Sequence, residues 1–494
     1  MGMKSDLISY IDAGYPIIYI NSFEETKVDD IILEAMGGRE GLEWNGAHGF
    51  VDFRSKRTLI TDKGLADTLK MLSADDELDR KFLVLKDAHL HFEDPKVVST
   101  MKDIALKISR GLDTTIIIVS SITKIPKELE KFITLLDVEF PTQEEIRSQI
   151  CRFAQDQGVP PITDKLLEEM SIALKGMTEF EIENILALAF TQDGNFTRQD
   201  LQLIFTQKKQ VIIKSGILEM IQIKEKQDDI GGLEYLKKWL ERKSRIYKSM
   251  NRAVEFGVDM PKGVLIAGLP GCGKSLCAKA TAQLFEVPLL RLDMGKIMGK
   301  YVGESEENMR KAIALAEAIS PCILWVDELE KAFAGVNGSG NEVTVRLFGT
   351  FLTWMQEKTH PVFVVATAND ISKLPPELMR KGRFDELFYV ELPNPEERRK
   401  IFEIHIRKRG KDSCSLNISE FVQKTHGYSG ADIESAVKDA IETAFIEGER
   451  SLNDSDVKNA IENMTSISKI MGETLSSMIS SYKDMHLQPA SARN

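Results

Sequence analysis

A glycine-rich segment in the second half of the chain has the residue types that bind nucleotide phosphates. Glycines allow successive backbone N–H groups to turn towards phosphate oxygens, and a helix starting behind them adds its positive dipole. In this pattern the lysine ammonium reaches the β- and γ-phosphates, and the hydroxyl beside it binds Mg²⁺. We therefore predict an ATP and Mg²⁺ site, with Lys274 also catalytic and Ser275 as a metal ligand. This segment, here called the phosphate loop, comprises Gly268, Leu269, Pro270, Gly271, Cys272, Gly273, Lys274, Ser275 and Leu276.

Polar residues that could complete this chemistry end two apolar runs further along the chain. Asp327 and Glu328 follow Ile323–Val326, and Asn369 follows Val364–Ala368. Because ligands of open α/β sheets bind at the carboxyl ends of the strands, these residues are expected to face the phosphates. We predict that Asp327 holds Mg²⁺, that Glu328 polarises the attacking water as general base, and that Asn369 holds the same water. The alternatives are a solvated acidic turn and a strand-end turn residue.

Short apolar runs rich in Ile and Val must position these residues. The runs alternate with helical stretches, which predicts an α/β fold with parallel sheets flanked by helices. The helical stretches follow each group of strands, at about 141–215 and 393–485. The predicted strands are Pro16–Asn21, Phe82–Asp87, Thr115–Ser120, Gly263–Ala267, Pro288–Asp293, Cys322–Asp327 and Pro361–Thr367.

The two halves of the chain read as two copies of one plan. Val138–Pro141 is repeated by Val390–Pro393, and Gly176–Thr178 is repeated by Gly427–Ser429. We therefore predict an internal duplication, with the boundary between the copies near 215–230. The predicted domains are an α/β domain at 1–140, a helical lid-like domain at 141–225, a nucleotide-binding core at 226–392, a helical lid at 393–487 and a frayed tail at 488–494.

The first copy keeps the apolar strands but lacks the residues that would bind and hydrolyse ATP. Its first strand continues into 22–26 without a Gly-Lys-Ser sequence, and Ala88 stands where the general base would stand. Ser120 takes the place of Asn369, so we predict no hydrolysis there and a docking, regulatory or spacer role. His89 and His91 could suggest a metal, but two ligands without a third nearby are more typical of polar loop residues.

The stretch from Asp229 to about Tyr482 resembles the AAA branch of the AAA+ ATPases, in which a P-loop core carries a helical lid. Asp229–Leu233 looks like the family's adenine-proximal segment, Leu378–Asp385 like its second region of homology, and Gly427–Ile433 like its lid signature. The whole chain is similar to plastid- and cyanobacteria-type AAA proteins with a degenerate N-terminal copy. Two further stretches carry this closer resemblance, 321–325 and 347–358.

The resemblance implies ATP hydrolysis in a homo-oligomer. It identifies Arg380 and Arg383 as arginine fingers that act on ATP bound to a neighbouring subunit, and a planar permanent cation suits the charge of the transferring phosphoryl group. Fingers that act between subunits imply a ring, and this family usually builds hexamers. The residues that the resemblance places at adenine and ribose are Asp229, Ile230, His405, Gly430 and Ala431.

A first pore loop is expected at Tyr301 and Val302, where an exposed aromatic would grip an extended protein chain without reading its sequence. The alternative is that Tyr301 is a half-buried core aromatic. The glycine-rich segment Gly335–Asn341 is either a second pore loop or a flexible turn.

Composition excludes several classes of protein. The chain has 494 residues, 43% of them apolar, and a net charge of −12, which disfavours a nucleic-acid motor. No apolar run approaches the roughly 18 residues of a membrane span, so no membrane partner is expected. The N-terminus has neither signal nor transit character. Five scattered cysteines predict buried, reduced thiols and a reducing compartment, the cytoplasm or a plastid stroma.

Two functional hypotheses follow from these motifs. The first is a hexameric ATPase that remodels or translocates a protein substrate through a central pore. The alternative is an ATP-gated assembly or regulatory module, whose nucleotide state controls partner binding. The intact set of Glu328, Asn369, Arg380 and Arg383 favours the first, because a switch tolerates the loss of catalytic groups.

Overall fold

The computed structural model describes residues 3–60, 63–74, 78–214, 216–223, 225–297, 304–333, 342–380 and 382–472. Of the C-terminal stretch it describes residues 475, 477, 478, 480, 482, 485 and 487–492. The chain folds as two compact units. Unit 1 comprises Met1–Gln157 with Thr178–Leu188, and unit 2 comprises Gly158–Met177 with Ala189–Asn494.

Helices and strands alternate along both units. The strands are β1 (Ile17–Asn21), β2 (Glu40–Asn45), β3 (Gly49–Asp52), β4 (Thr58–Ile60), β5 (Lys81–Lys86), β6 (Thr115–Ser120), β7 (Ile133–Asp137), β8 (Leu218–Ile221), β9 (Gly263–Gly268), β10 (Leu289–Leu292), β11 (Cys322–Val326), β12 (Val362–Ala368), β13 (Glu386–Val390) and β14 (Gln488–Pro489). The helices up to the phosphate loop are α1 (Met3–Asp12), α2 (Glu25–Met36), α3 (Leu65–Ala74), α4 (Pro95–Ser109), α5 (Gln143–Asp156), α6 (Asp164–Leu174), α7 (Glu179–Asp193), α8 (Asp200–Lys214), α9 (Glu234–Lys248) and α10 (Met250–Glu255). Those that follow are α11 (Lys274–Phe285), α12 (Met294–Ile297), α13 (Glu304–Ile319), α14 (Glu342–Glu357), α15 (Pro395–Lys408), α16 (Ile418–Lys424), α17 (Gly430–Ile446), α18 (Asp454–Glu462) and α19 (Ile467–Met471).

The sheet of unit 1 has the strand order β4-β3-β2-β5-β6-β1-β7. Strands β2, β5, β6, β1 and β7 are parallel, and β3 and β4 extend one edge in antiparallel pairing. Alternate residues of each central strand enter different cores: Ile17 and Tyr19 belong to one cluster, and Ile18 and Ile20 to the other. Both faces of this sheet are therefore covered, as expected for parallel strands.

The sheet of unit 2 has the order β14-β13-β9-β12-β11-β10-β8, with only β8 antiparallel to its neighbour among these paired strands. Its central part, β13-β9-β12-β11-β10, repeats the succession β7-β1-β6-β5-β2 of unit 1. The same order of crossovers in both sheets is what a duplicated plan predicts. The α/β fold with parallel sheets and flanking helices is thereby confirmed.

The seven predicted strands are present, each within one residue of its predicted ends. The sequence did not reveal β2, in which Glu43 is buried and pairs with Lys56 at 2.5 Å. It also did not reveal β8, which lies in the stretch predicted to separate the copies. A charge inside a strand and a strand of four residues both weaken the alternation that sequence patterns rely on.

The prediction that the thiols are buried holds for part of the set. Cys277 and Cys322 are buried, and burial raises the pKa of each thiol to about 12. Cys151 and Cys414 are exposed, so for these two the prediction is wrong. All five are free thiols.

The predicted frayed tail is wrong for Gln488–Ser491. Gln488–Pro489 forms β14, which pairs in parallel with β13. The N–H of Ala490 donates to the carbonyl of Tyr389 at 2.9 Å. The carbonyl of Ala490 accepts from the N–H groups of Tyr235 and Leu236, at 3.0 and 3.1 Å, in the first turn of α9. The tail thus binds N–H groups that a helix start leaves without intrahelical partners.

Deleting Gln488–Asn494 is expected to lower the free energy of unfolding of unit 2 by about 2–5 kcal/mol. Each lost hydrogen bond contributes about 1 kcal/mol, and the burial of Ala490 is lost as well. The expected result is a lower midpoint in thermal unfolding followed by circular dichroism. A chain lacking only the last two residues is the control, because it keeps β14 and Ala490. An unchanged midpoint after the longer deletion would contradict a structural role for the tail.

Candidate active site

The phosphate loop joins the buried strand β9 to helix α11. Gly271 and Gly273 have φ values of 76° and 88°, in the left-handed region that favours glycine. A Cβ on Gly268 would lie 2.4 Å from the carbonyl oxygen of Val390, so the backbone of the neighbouring strand excludes a side chain there. The glycines are therefore required by the shape of this turn, which presents its backbone at the N-terminus of α11.

The Lys274 side chain lies at the base of the loop and is buried. Its ammonium donates to the carbonyl oxygens of Gly268 and Leu269, both at 2.8 Å. Burial lowers the pKa of Lys274, and the charges of nearby Glu330 and Asp327 oppose that shift. An ammonium has three N–H donors, so two bonds to carbonyls leave one for an anionic oxygen.

Asp327 is oriented by a residue that sequence analysis missed. The Thr367 hydroxyl donates to Asp327 Oδ1 at 2.7 Å and accepts from the Glu328 N–H at 3.2 Å. Arg291 lies 3.3 Å from Asp327 Oδ2. Thr367 therefore connects both acids to the adjacent strand β12. The sequence signal that could have identified it is its hydroxyl, which interrupts the apolar run of β12.

The structure brings Glu328 and Asn369 together through a direct hydrogen bond. The Asn369 side-chain amide donates to Glu328 Oε1 at 3.1 Å, and Lys331 lies 2.5 Å from Glu328 Oε2. Glu328 has a φ of 51°, which costs about 1 kcal/mol for a residue with a side chain. Buried Glu330 accepts from the Asn369 N–H at 3.1 Å. These bonds hold the carboxylate of Glu328 at the carboxyl edge of the sheet.

The lid contacts the phosphate loop through the start of α17. The Ala431 N–H donates to the Gly271 carbonyl at 3.0 Å, and a Cβ on Gly430 would lie 3.1 Å from that oxygen. Ser429 and Asp432 form a capping box, in which each side chain accepts from the other's backbone N–H. The predicted positions Gly430 and Ala431 are thus at the loop.

The segment predicted to lie near adenine, Asp229–Leu233, is held by Glu397, a second residue that sequence analysis missed. Glu397 Oε1 accepts from the Leu233 N–H at 3.1 Å and from the Ser491 hydroxyl at 2.7 Å. A Cβ on Gly232, whose φ is 87°, would lie 2.2 Å from the same oxygen. The sequence could have predicted the capping box that Glu397 forms with Asn394. It could not have predicted the hydrogen bonds from Leu233 and Ser491. Glu397 therefore connects the lid, this segment and the C-terminal tail.

Asp229, which ends a short turn before Ile230, lies in one charged neighbourhood with His405 and Lys408 of α15. Asp229 pairs with Lys408 at 3.2 Å, and His405 Nδ1 lies 3.8 Å from Glu434 Oε1. Burial lowers the pKa of His405, although Glu434 opposes that effect. The buried Nδ1 has no hydrogen-bond partner in the described part of the chain, and Ile230, also buried, lies next to Asp229. A neutral ring with an unsatisfied nitrogen fits a polar group of a bound nucleotide.

The residues at the loop also fit Mg²⁺. The Ser275 hydroxyl and the Asp327 carboxylate are oxygen donors, which this hard cation prefers. Within the described ranges, His, Cys, Asp and Glu form no group of three that could hold a metal. Mg²⁺ in phosphate sites takes one or two protein ligands beside phosphates and water, so two donors suffice.

The predicted fingers lie on a loop between β12 and β13. Arg380 is exposed, and Arg383 donates to the carbonyl of Glu377. Lys262 Nζ donates to the Gly382 carbonyl at 2.8 Å, which anchors the loop to the residue before β9. Among the hydrogen bonds of the described residues, neither guanidinium reaches the phosphate loop of its own chain.

The predicted pore residues Tyr301 and Val302 lie outside the described residues, as does the whole of Gly335–Asn341. In unit 1, the Ser120 hydroxyl lies 2.6 Å from His89 Nδ1, and the ring of His91 packs edge-on against Trp44. These two histidines therefore serve hydrogen bonding and packing in the first copy.

The fold and the site define a P-loop ATPase with a helical lid. Residues 264–392 match the ATPase family associated with various cellular activities (AAA), and residues 415–459 match the AAA+ lid domain. Residues 3–138 and 144–215 match the N-terminal and second domains of SpoVK-like AAA ATPases. The chain belongs to the AAA ATPases.

Several relatives align over nearly the whole chain. An uncharacterized AAA domain-containing protein, ycf46, of Guillardia theta is 38% identical over 94% of this chain and 92% of its own length. Its counterpart in Pyropia yezoensis is 37% identical over 94% of both chains. A cell division cycle protein 48 homolog of Archaeoglobus fulgidus is 30% identical over 56% of this chain and 37% of its own length.

The predicted family and enzyme class are confirmed: the protein binds ATP and hydrolyses it to ADP and phosphate. Within the described chain, no helix is both long and apolar enough to cross a membrane.

Proposed function

We propose that the protein is a hexameric MgATPase whose active sites are completed by neighbouring subunits and which remodels or translocates a protein substrate. The observation that carries the proposal is the position of Arg380 and Arg383. They share a loop anchored by Lys262, and neither is hydrogen bonded to its own phosphate loop within the described residues. Arginines that stabilise phosphoryl transfer must contact the transferring group, so a neighbouring subunit's ATP is the proposed target.

Within one subunit, Ser275 and Asp327 would hold Mg²⁺, which would neutralise developing charge on the phosphates when bound. Glu328 would take the proton of the attacking water, and Asn369 would fix the orientation of that carboxylate through its bond at 3.1 Å. Lys274 would contact the phosphates from the base of the loop.

Nucleotide state would pass to the rest of the subunit through the lid. Ala431 contacts the phosphate loop, and Glu397 on the same lid binds Leu233 and Ser491. Glu397 lies on α15, which packs against α17 in one apolar cluster, so a shift of the lid on hydrolysis would act on both Asp229–Leu233 and the tail. The cytoplasm or a plastid stroma remains the proposed location.

Replacing Tyr301 with Ala is expected to abolish remodelling of a protein substrate while basal ATP hydrolysis survives. The reason is that Tyr301 is proposed to contact the substrate and not to take part in ATP hydrolysis. The measurement is ATPase rate with and without a permanently unfolded model protein, casein. Casein should raise the rate of the unchanged protein, and Tyr301→Ala should remove that increase.

Tyr301→Phe is the matched control, since it keeps the ring and should keep the response. If Tyr301→Ala responds to casein as fully as the unchanged protein, threading past this residue is wrong. The ATP-gated assembly module would then be the better description.

A further inference from the structure

Four large apolar side chains are exposed at the carboxyl edge of the sheet in unit 1. Phe23 follows β1 and is 80% exposed, Leu90 follows β5 and is 69% exposed, and Ile122 follows β6 and is 53% exposed. Phe180, in the first turn of α7, is 67% exposed. These four residues are here called the edge patch.

Hydrogen bonds connect the segments that carry the edge patch. The Ser22 N–H donates to the Ser120 carbonyl at 2.9 Å, which joins the segments of Phe23 and Ile122. His89, next to Leu90, lies 2.6 Å from the Ser120 hydroxyl. The Phe180 N–H donates to Glu24 Oε1 at 3.1 Å. The four side chains therefore belong to neighbouring segments at one edge of the sheet.

The corresponding positions in unit 2 lie at the candidate active site. Counting from the aligned acids Asp87 and Asp327, Leu90 stands where buried Glu330 stands. Counting from Thr178 and Ser429, Phe180 stands where Ala431 contacts the phosphate loop. The first copy thus carries exposed apolar side chains at two positions that in unit 2 contact Asn369 and the phosphate loop.

The exposed area is larger than scattered surface residues explain. If a side chain of this size presents roughly 200 Å² when fully exposed, the edge patch presents about 500 Å² of apolar surface. Patches of a few hundred Å² on one surface mark sites of interaction, because such area is unfavourable in water.

The rim of the patch is acidic. The segments 22–27, 87–93, 121–124 and 178–181 contain six acids and two lysines. Both lysines are already paired within the set, Lys27 with Glu179 at 2.7 Å and Lys124 with Glu93 at 3.0 Å. Lys86, just before the second segment, also pairs with Glu25 at 2.8 Å. With Lys86 included the rim has six acids and three lysines, so it carries a net negative charge around an apolar centre.

We propose that the edge patch docks a partner protein through a basic segment with apolar anchors. The apolar side chains of that segment would cover Phe23 and Phe180, and its Lys or Arg residues would meet the acidic rim. An anionic membrane surface suits this rim poorly, since like charges repel. The degenerate copy thereby becomes the recruiting surface of the ATPase.

The test uses the full-length protein and a fluorescein-labelled peptide of 20 residues, with Leu and Phe anchors flanked by Lys and Arg. A matched peptide carries Glu in place of the basic residues. We expect fluorescence anisotropy to report binding of the basic peptide only, weakened at high salt. The double change Phe23→Ser with Phe180→Ser should weaken binding at least tenfold, with the same ATPase rate and melting midpoint.

Two further variants sharpen the result. Leu90→Ser should also weaken binding, whereas Phe445→Ser, at a 64% exposed position on the lid helix α17, should not. Equal binding of both peptides, or unchanged binding by the double variant, would overturn the proposal. So would self-association in light scattering that the double variant abolishes, which would identify a second copy as the occupant. Binding to anionic phosphatidylserine vesicles that is lost in the same variant would also overturn it.

Discussion

The Glu328→Gln variant is expected to hydrolyse ATP about 100- to 10,000-fold more slowly, while it binds ATP nearly as well as the unchanged protein. Glutamine keeps the size of the side chain and can keep the bond to Asn369, but it cannot accept the proton of the attacking water. The Glu328 carboxylate is held by Asn369 at 3.1 Å and Lys331 at 2.5 Å, so the loss would concern proton transfer rather than position.

The measurements are steady-state phosphate release and binding of a fluorescent ATP analogue. Glu357→Gln, at an exposed carboxylate that ends α14, is the matched control and should change neither. If Glu328→Gln retains more than about a tenth of the rate, another group is the general base. Loss of binding together with rate would instead mean that the change disturbs the phosphate loop.

Replacing Arg383 or Arg380 with Ala is expected to lower the ATPase rate about 1,000- to 100,000-fold if both contact the transferring phosphoryl group of a neighbour. The loop should remain in place, because it is anchored by Lys262 to Gly382 and by the Asp385 carboxylate, which accepts from the Lys262 N–H at 2.9 Å. Arg310→Ala, at an exposed position on α13, is the control.

Mixing two inactive variants tests whether the arginine acts between subunits. A Glu328→Gln subunit keeps its arginines, and an Arg383→Ala subunit keeps its general base. Combined in one ring, they should recover part of the activity, because some interfaces then contain both groups. Absence of recovery, with light scattering showing mixed assembly, would contradict action between subunits.

Much of the fold was predictable because it depends on local patterns. The buried strands β9, β11 and β12 are apolar runs whose ends are marked by glycine, acids and asparagine. The repeated order of strands and helices indicated the duplication, which the shared crossovers of the two sheets match. Strands with charged residues or very short length, such as β2 and β14, lacked such a pattern.

Tertiary structure alone decided the partners that orient the site. Glu397 meets Leu233 and Ser491, and Ala431 meets Gly271, although each pair is far apart in sequence. Hydrogen-bond partners depend on how strands and helices pack, which no local pattern encodes. The same holds for the exposure of Phe23 and Phe180, since an apolar residue can enter a core or face solvent.

The sequence by itself therefore determined the chemistry of this ATPase, because phosphate binding needs particular residue types at short, fixed spacings along the chain. The tertiary structure decided which neighbours hold those residues, where the tail pairs and which surface unit 1 exposes, because these depend on contacts between residues far apart in sequence.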